Sequence, residues 1–185
     1  MRTGVARLPA MLAEPELSPV PRDELVTAAG YFNPDHRFSP ATNADRVSSA
    51  QDGAAGLPAE AMAADFDRAW HAAQAAVEAA SPDRVVRTRH GDLMRLSEFL
   101  RTRVLELAVH GLDLAAGLNR DPWLTPEAAG VVADLMLPAG SALAVRKRLG
   151  WDDATLIAKI TDRLPITPDE SSVVEGQDIH RLALG

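Results

Sequence analysis

Cysteine is missing from the sequence altogether. Its absence excludes disulfides, thiolate metal sites and a cysteine nucleophile. Any thiol that reacts here must arrive on a small molecule. Positive charge is in short supply: 19 Lys and Arg face 26 Asp and Glu, for a formal net charge of −7. Phosphate binding wants a basic face, so nucleic acid is not an expected partner. No apolar run approaches the length of about 18 residues that a membrane-spanning helix needs. Met1–Leu12 has no unbroken apolar segment of the signal-peptide kind, and the expected location is cytoplasmic. HExxH, P-loop and GxGxxG motifs are absent, as is any repeat at 20–50 residues.

Aromatic residues are also few, at 4%, whereas hydrophobic residues reach 46% and much of that share is alanine. Alanine favours helices and lets them pack closely, which makes an all-α protein the first expectation. A chain of 185 residues suffices for one domain with a sizeable core.

The organisation expected along the chain has three parts: an irregular N-terminal segment over 1–57, a helical bundle core over 58–150 and a C-terminal extension over 151–185. The first part holds Pro9, Pro15, Pro19, Pro21, Pro34 and Pro40 and a polar run at Thr42–Gly53. It reads as loops with short helical pieces near Val5–Leu12 and Asp23–Ala29. Pro58–Ala80 is a helix, because Met62, Phe66, Ala69, Trp70, Ala73 and Val77 recur at three- and four-residue steps. Ser81-Pro82 ends it, and Val85–Arg89 is a short extended link. Trp70 is expected in the core.

A second helix runs from Ser97, its N-cap, to Leu118, with Asn119 as its stop. Thr125-Pro126-Glu127 opens a third, which Pro138 kinks or breaks and Gly150 closes. Asp152 caps a short helix through Thr161, and Thr167 with Glu170 has the form of a capping box. Trp123 and Trp151 follow helix ends and are expected to staple loops. Three substantial helices plus fragments fit a four-helix bundle with one member absent.

The 97–118 helix carries the residues with chemistry. With Glu106 at zero on a helical wheel, His110 falls at about +40°, Asp113 at about −20° and Arg103 at about +60°. All four share one face, with Leu100, Val104, Leu107, Gly111, Leu112, Ala115 and Leu118 expected opposite. Glu and His one turn apart can reach a single ion. On periodicity alone the stripe reads first as a solvated surface.

RTRVLELAVHGLDLAAGL, residues 101–118, resembles the second metal-ligand helix of the mycothiol-dependent maleylpyruvate isomerase N-terminal domain family, a branch of the DinB/YfiT-like bundles. Arg103, Val104, Glu106, Leu107, His110, Asp113, Leu114 and Ala115 carry the likeness. GWDDATLIAKITDRLPITPDE is similar to the family's closing run through Arg163, Pro165 and Thr167, with Asp162 where glycine is usual.

The resemblance implies a four-helix bundle holding a divalent metal, zinc first and nickel second, on two histidines and a glutamate. Glu106 and His110 take two of those places. From spacing, and not from the resemblance, Asp113 is expected as an outer group behind a ligand and Arg103 as a carboxylate or substrate partner. The family's other histidine lies on a first helix, and MRTGVARLPAMLAEP resembles the segment that follows it. The bundle is therefore expected to lack its first helix, leaving His36, His71, His90 and His180 as the only substitutes. His71 reads as a boundary residue, His36 and His90 as solvated loop residues, and His180 as part of a frayed tail.

The chemistry implied is metal-assisted addition, transfer or isomerisation using mycothiol as a thiol cosubstrate. The expected partners are that thiol and a small-molecule electrophile, and a homodimer is a further expectation. The alternative is a noncatalytic helical binding or assembly module that keeps the scaffold.

Overall fold

The computed structural model describes residues 2–17, 20–32, 39–137 and 140–175. In chain order its elements are α1 (Arg2–Ala6), α2 (Leu8–Ala13), a 3₁₀ turn (Arg22–Glu24), α3 (Ala28–Tyr31), α4 (Pro40–Ala54) and α5 (Ala59–Glu78). There follow β1 (Val85–Arg87), β2 (Leu93–Arg95), α6 (Leu96–Gly117), α7 (Pro126–Met136), α8 (Ser141–Leu149), α9 (Asp153–Ile160) and α10 (Pro168–Glu175). The fold is all-α with one small sheet among the described residues, as the alanine-rich composition predicts. No single described helix is long and apolar enough to cross a membrane.

The chain divides into two compact units. One comprises the described residues of 2–27 and 39–99. In it α1 and α2 pack on α5, and α2 also meets β1. Its core includes Val5, Leu8, Ala73, Val86, Met94 and Phe99. β1 and β2 pair antiparallel with Val86 opposite Met94. Both of those side chains are buried on one face of the hairpin. The turn between them closes through Thr88 N–H to Asp92 O at 2.8 Å and Gly91 N–H to Thr88 O at 3.0 Å. Gly91 sits at φ 92°, which a side chain rarely adopts. Arg84 donates to Glu14 O, tying the hairpin to the end of α2.

Several expectations change here. Thr42–Gly53 is not loop but part of α4, a fifteen-residue helix with no buried residue. Its polar composition hides it from any periodicity test. Ser39 caps it by accepting Thr42 N–H at 3.2 Å, with Pro40 at its first turn. The extended link over 85–89 is the first half of a hairpin. Ser97 lies inside α6 rather than capping it, and its amide donates to Pro82 O. Trp70 is not core, being 44% exposed. The cause is length: α1 and α2 span 5 and 6 residues and cannot cover the 20 of α5.

The other unit comprises 28–32 and the described residues from 100 onward. α3 meets α7, α7 packs on α9, and α10 on α8. Val132, Met136, Leu156 and Ile157 are fully enclosed. The helix grammar is as the sequence predicts. Thr125 accepts Ala128 N–H at 3.2 Å, and Asp152 accepts Thr155 N–H at 2.7 Å. Gly150 closes α8 at φ 67°. Asn119 stands at φ 51° just after α6. The helix expected from 125 to 150 is broken into α7 and α8, with Leu137 extended at the end of α7, and Pro138 itself lies outside the described residues.

Glu170 organises the unit's C-terminal part. It accepts Lys159 Nζ at 2.6 Å, Trp151 Nε1 at 3.0 Å and the Thr167 amide at 2.8 Å, the last being the capping-box bond. The Lys159 ammonium, and next the Thr167 amide, hold its carboxyl down at about 2. Trp151 is buried, as a staple must be; Trp123 is 53% exposed and is a much weaker one.

Candidate functional site

α6 begins in the first unit and its greater part lies in the second. Along the part in the second unit its buried side chains are Thr102, Leu105, Ala108, Val109, Leu112 and Ala115. That face lies beside the polar stripe rather than opposite it, with Thr102 and Val109 flanking Glu106. Leu118, assigned by the wheel to the apolar side, is exposed instead. The stripe is thus neither core nor open surface. The Glu106 side chain keeps only 30% of its exposure, while His110 and Asp113 stand half-open.

His110 meets both carboxylates of the stripe. His110 Nε2 lies 3.2 Å from Glu106 Oε2, and His110 Nδ1 lies 3.2 Å from Asp113 Oδ2. The i,i+4 and i,i+3 spacings on one helix place both carboxylates against one ring. Asp113 is itself held from a distant part of the chain. Arg163, just after α9, donates Nε to Asp113 Oδ1 at 2.7 Å and Nη2 to Asp113 Oδ2 at 3.0 Å. Its Nη1 is spent on Thr161 O at 2.9 Å. The result is an unbroken chain: Glu106, His110, Asp113, Arg163.

Charge follows from the geometry. Burial alone would raise the Glu106 carboxyl. The His110 hydrogen bond and the charges of Arg103 and His110 outweigh it, so the group lies below its ordinary value. The Glu106 hydrogen bond raises the His110 ring against the opposing pull of burial, with help from Asp113. Burial would raise Asp113 as well, and its bonds to Arg163 and His110 hold it low. A cationic imidazole between two carboxylates is the arrangement that satisfies both ring N–H groups.

Arg103 acts on Glu106 by charge and also engages a ring. Its guanidinium lies 5.8 Å from the centre of the Tyr31 ring, and Nε donates to Thr102 Oγ1 at 3.1 Å. Tyr31 in turn stacks edge-on against the buried Phe32, 5.2 Å between centroids. Neither Tyr31 nor the role of Arg163 is signalled by the spacing within α6. The Arg163 position is marked only by the closing-run likeness.

Among the described residues, no group of three His, Asp or Glu side chains is arranged to hold a metal ion. Glu106 and His110 supply two donors. Asp113 is committed on both oxygens to Arg163. His71 bonds the carbonyl of its own helix at Asp67, 2.9 Å away, and is exposed. His90 accepts Arg89 Nε at 3.0 Å in the hairpin turn. His36 and His180 lie outside the described residues. The described donors therefore do not complete a zinc site.

Trp123 completes the local surroundings. A Cβ placed at Gly111 would lie 3.5 Å from its indole nitrogen. The indole thus lies against α6 one residue past His110, at ordinary contact distance.

No curated protein and no solved structure matches the chain. The model of the mycothiol maleylpyruvate isomerase N-terminal domain does match, over residues 4–115. That stretch is well over half of the 185 residues and contains Arg103, Glu106, His110 and Asp113. With the all-α, DinB-like architecture in place around the α6 stripe, the chain belongs to the mycothiol maleylpyruvate isomerase N-terminal domain family.

Proposed function

We propose that this chain activates a small-molecule thiol, mycothiol, for addition or transfer to an electrophile, with Glu106 and His110 as the working pair. One observation carries the reading. A partly enclosed histidine is bracketed by two carboxylates on the helix that holds the end of the family match. Positive charge at His110 stabilises a thiolate placed beside it, as it does for cysteine thiolates. The thiol proton leaves to water, and the sulfur lone pair forms a bond to the electrophilic carbon. On a conjugated double bond the displaced π pair moves toward the acceptor group. Rotation and expulsion of the thiolate then restore the double bond as the other isomer. On a carbon bearing a leaving group, that group departs with its bonding pair, and the outcome is transfer.

A second reading keeps a divalent metal, zinc or nickel, on Glu106 Oε2 and His110 Nε2, with a further donor from outside the described residues. What favours it is the bond from His110 Nδ1 to Asp113. Metal-bound imidazoles almost always donate their other nitrogen to a carboxylate or carbonyl.

The test is mycothiol titration, read by heat and by thiolate absorbance, on wild type, His110→Ala and Glu106→Gln. Elemental mass spectrometry on the same samples reads the metal. The wild type should bind mycothiol and lower its thiol pKa, and both variants should lose that effect. Equal behaviour of wild type and variants would remove the enzyme reading and leave the noncatalytic helical module. About one metal per chain in the wild type, lost in the variants, would select the metal-bound form of the site.

A further inference from the structure

Arg163 reaches the α6 stripe from fifty residues away and takes both oxygens of Asp113. Three features set it apart from an ordinary surface ion pair. The contact is bidentate, which fixes the carboxylate plane as well as its position. The guanidinium is anchored on its far side by Thr161 O, so the fork itself is held. The turn that presents it is specialised: Asp162 stands at φ 60°, and Arg163 N–H returns to Ala158 O at 2.7 Å. Arg163 is also the less exposed partner, its side chain retaining 21% exposure against 43% for Asp113.

Asp113 Oδ2 serves two masters, accepting from Arg163 Nη2 and meeting His110 Nδ1. Without the fork, an Asp side chain on a helix surface has other rotamers and water to choose from. With it, one oxygen is pinned where the ring nitrogen can use it. We infer that Arg163 is a positioning residue. By clamping Asp113, it fixes the His110 ring so that Nε2 faces Glu106. The ring orientation is thus set by a residue beyond the stretch that the family model matches. The inference deepens the reading of Glu106 and His110 as the working pair and rests on that reading for its functional meaning.

The experiment reads the His110 ring nitrogens by ¹⁵N NMR at one fixed pH, with neither thiol nor metal added. The samples are wild type, Arg163→Met, Arg163→Lys, Asp113→Asn and the Arg163→Met/Asp113→Asn double variant. Arg163→Met should move the Nδ1 resonance in the same direction as Asp113→Asn does. The double variant should move it no further than Asp113→Asn alone, because both changes break one path. Lysine, a cation without the fork, should restore only part of the shift. A thermal midpoint is recorded for each sample. A lowered midpoint with His110 resonances unmoved would make Arg163 a structural staple and overturn the inference. Additive shifts in the double variant would also overturn it. Should Arg163→Met fail to fold, Arg163→Gln, which keeps one donor, is judged by the same comparison. Because the readout contains no mycothiol, it can fail while thiol binding stands, and thiol binding can fail while it stands.

Discussion

At the scale of single residues, the α6 stripe makes His110 the most consequential titrating group. Its Glu106 hydrogen bond, the largest influence, raises it above the ordinary 6.5. A group raised on folding stabilises the fold below its unfolded value, and the gain is lost as pH climbs through the folded value. Glu106 and Asp113 are held low, so their contribution stands above the carboxylate range and is lost on acidification. The two effects together predict that the wild type loses stability as pH rises past 6.5. A His110→Asn variant should lack that part of the alkaline limb. Thermal midpoints measured across the interval from mildly acidic to mildly alkaline pH test this, and parallel profiles for the two proteins would refute it. The stripe was legible because 3.6-residue periodicity places Glu106, His110 and Asp113 on one face without knowledge of the fold. Arg163 and Tyr31 were not, since their parts in it depend on how distant segments return to α6.

Secondary-structure elements show where sequence patterning stops being informative. Helices that bury a stripe, such as α7 and α9, announce themselves by apolar spacing and by caps at Thr125 and Asp152. The helix α4 buries nothing, so it leaves only its cap, Ser39 followed by Pro40, as a signal. β1 and β2 are three residues each, too short for alternation to register, and Gly91 in the turn is the only local mark. These differences carry a dynamic consequence. A helix with no buried side chain draws little from tertiary packing and belongs to the low end of local opening free energies. The amides of α4 should therefore exchange with deuterium well ahead of those in α7, whose Ala129, Val132, Ala133, Leu135 and Met136 are all buried. Comparable protection in the two helices would show that α4 is covered by something beyond the contacts described here.

For the whole molecule, composition set the class correctly: abundant alanine and few aromatics produce helices that pack closely on small side chains. It could not distribute the core. A sequence stripe makes Trp70 look central, yet the fully enclosed side chains lie elsewhere: at Met94, Leu105 and Val109, and at Val132, Met136, Leu156 and Ile157 beyond the end of the family match at 115. Burial, rather than hydrophobicity in a pattern, decides what a substitution costs. Leu156→Ala removes buried methyl and methylene groups and leaves a cavity, a loss of about 2–5 kcal/mol. Trp70→Ala deletes a larger side chain that already keeps 44% of its exposure, so less transfer free energy is lost. Urea unfolding of the two variants should rank Leu156→Ala as the more damaging despite its smaller change in volume. Because Leu156 and Arg163 lie in the same compact unit, on either side of the end of α9, Leu156→Ala should also loosen the clamp on Asp113. The His110 resonances would then shift before the unfolding transition is reached. The reverse ranking would return Trp70 to the core and require α5 to have partners that α1 and α2 do not supply.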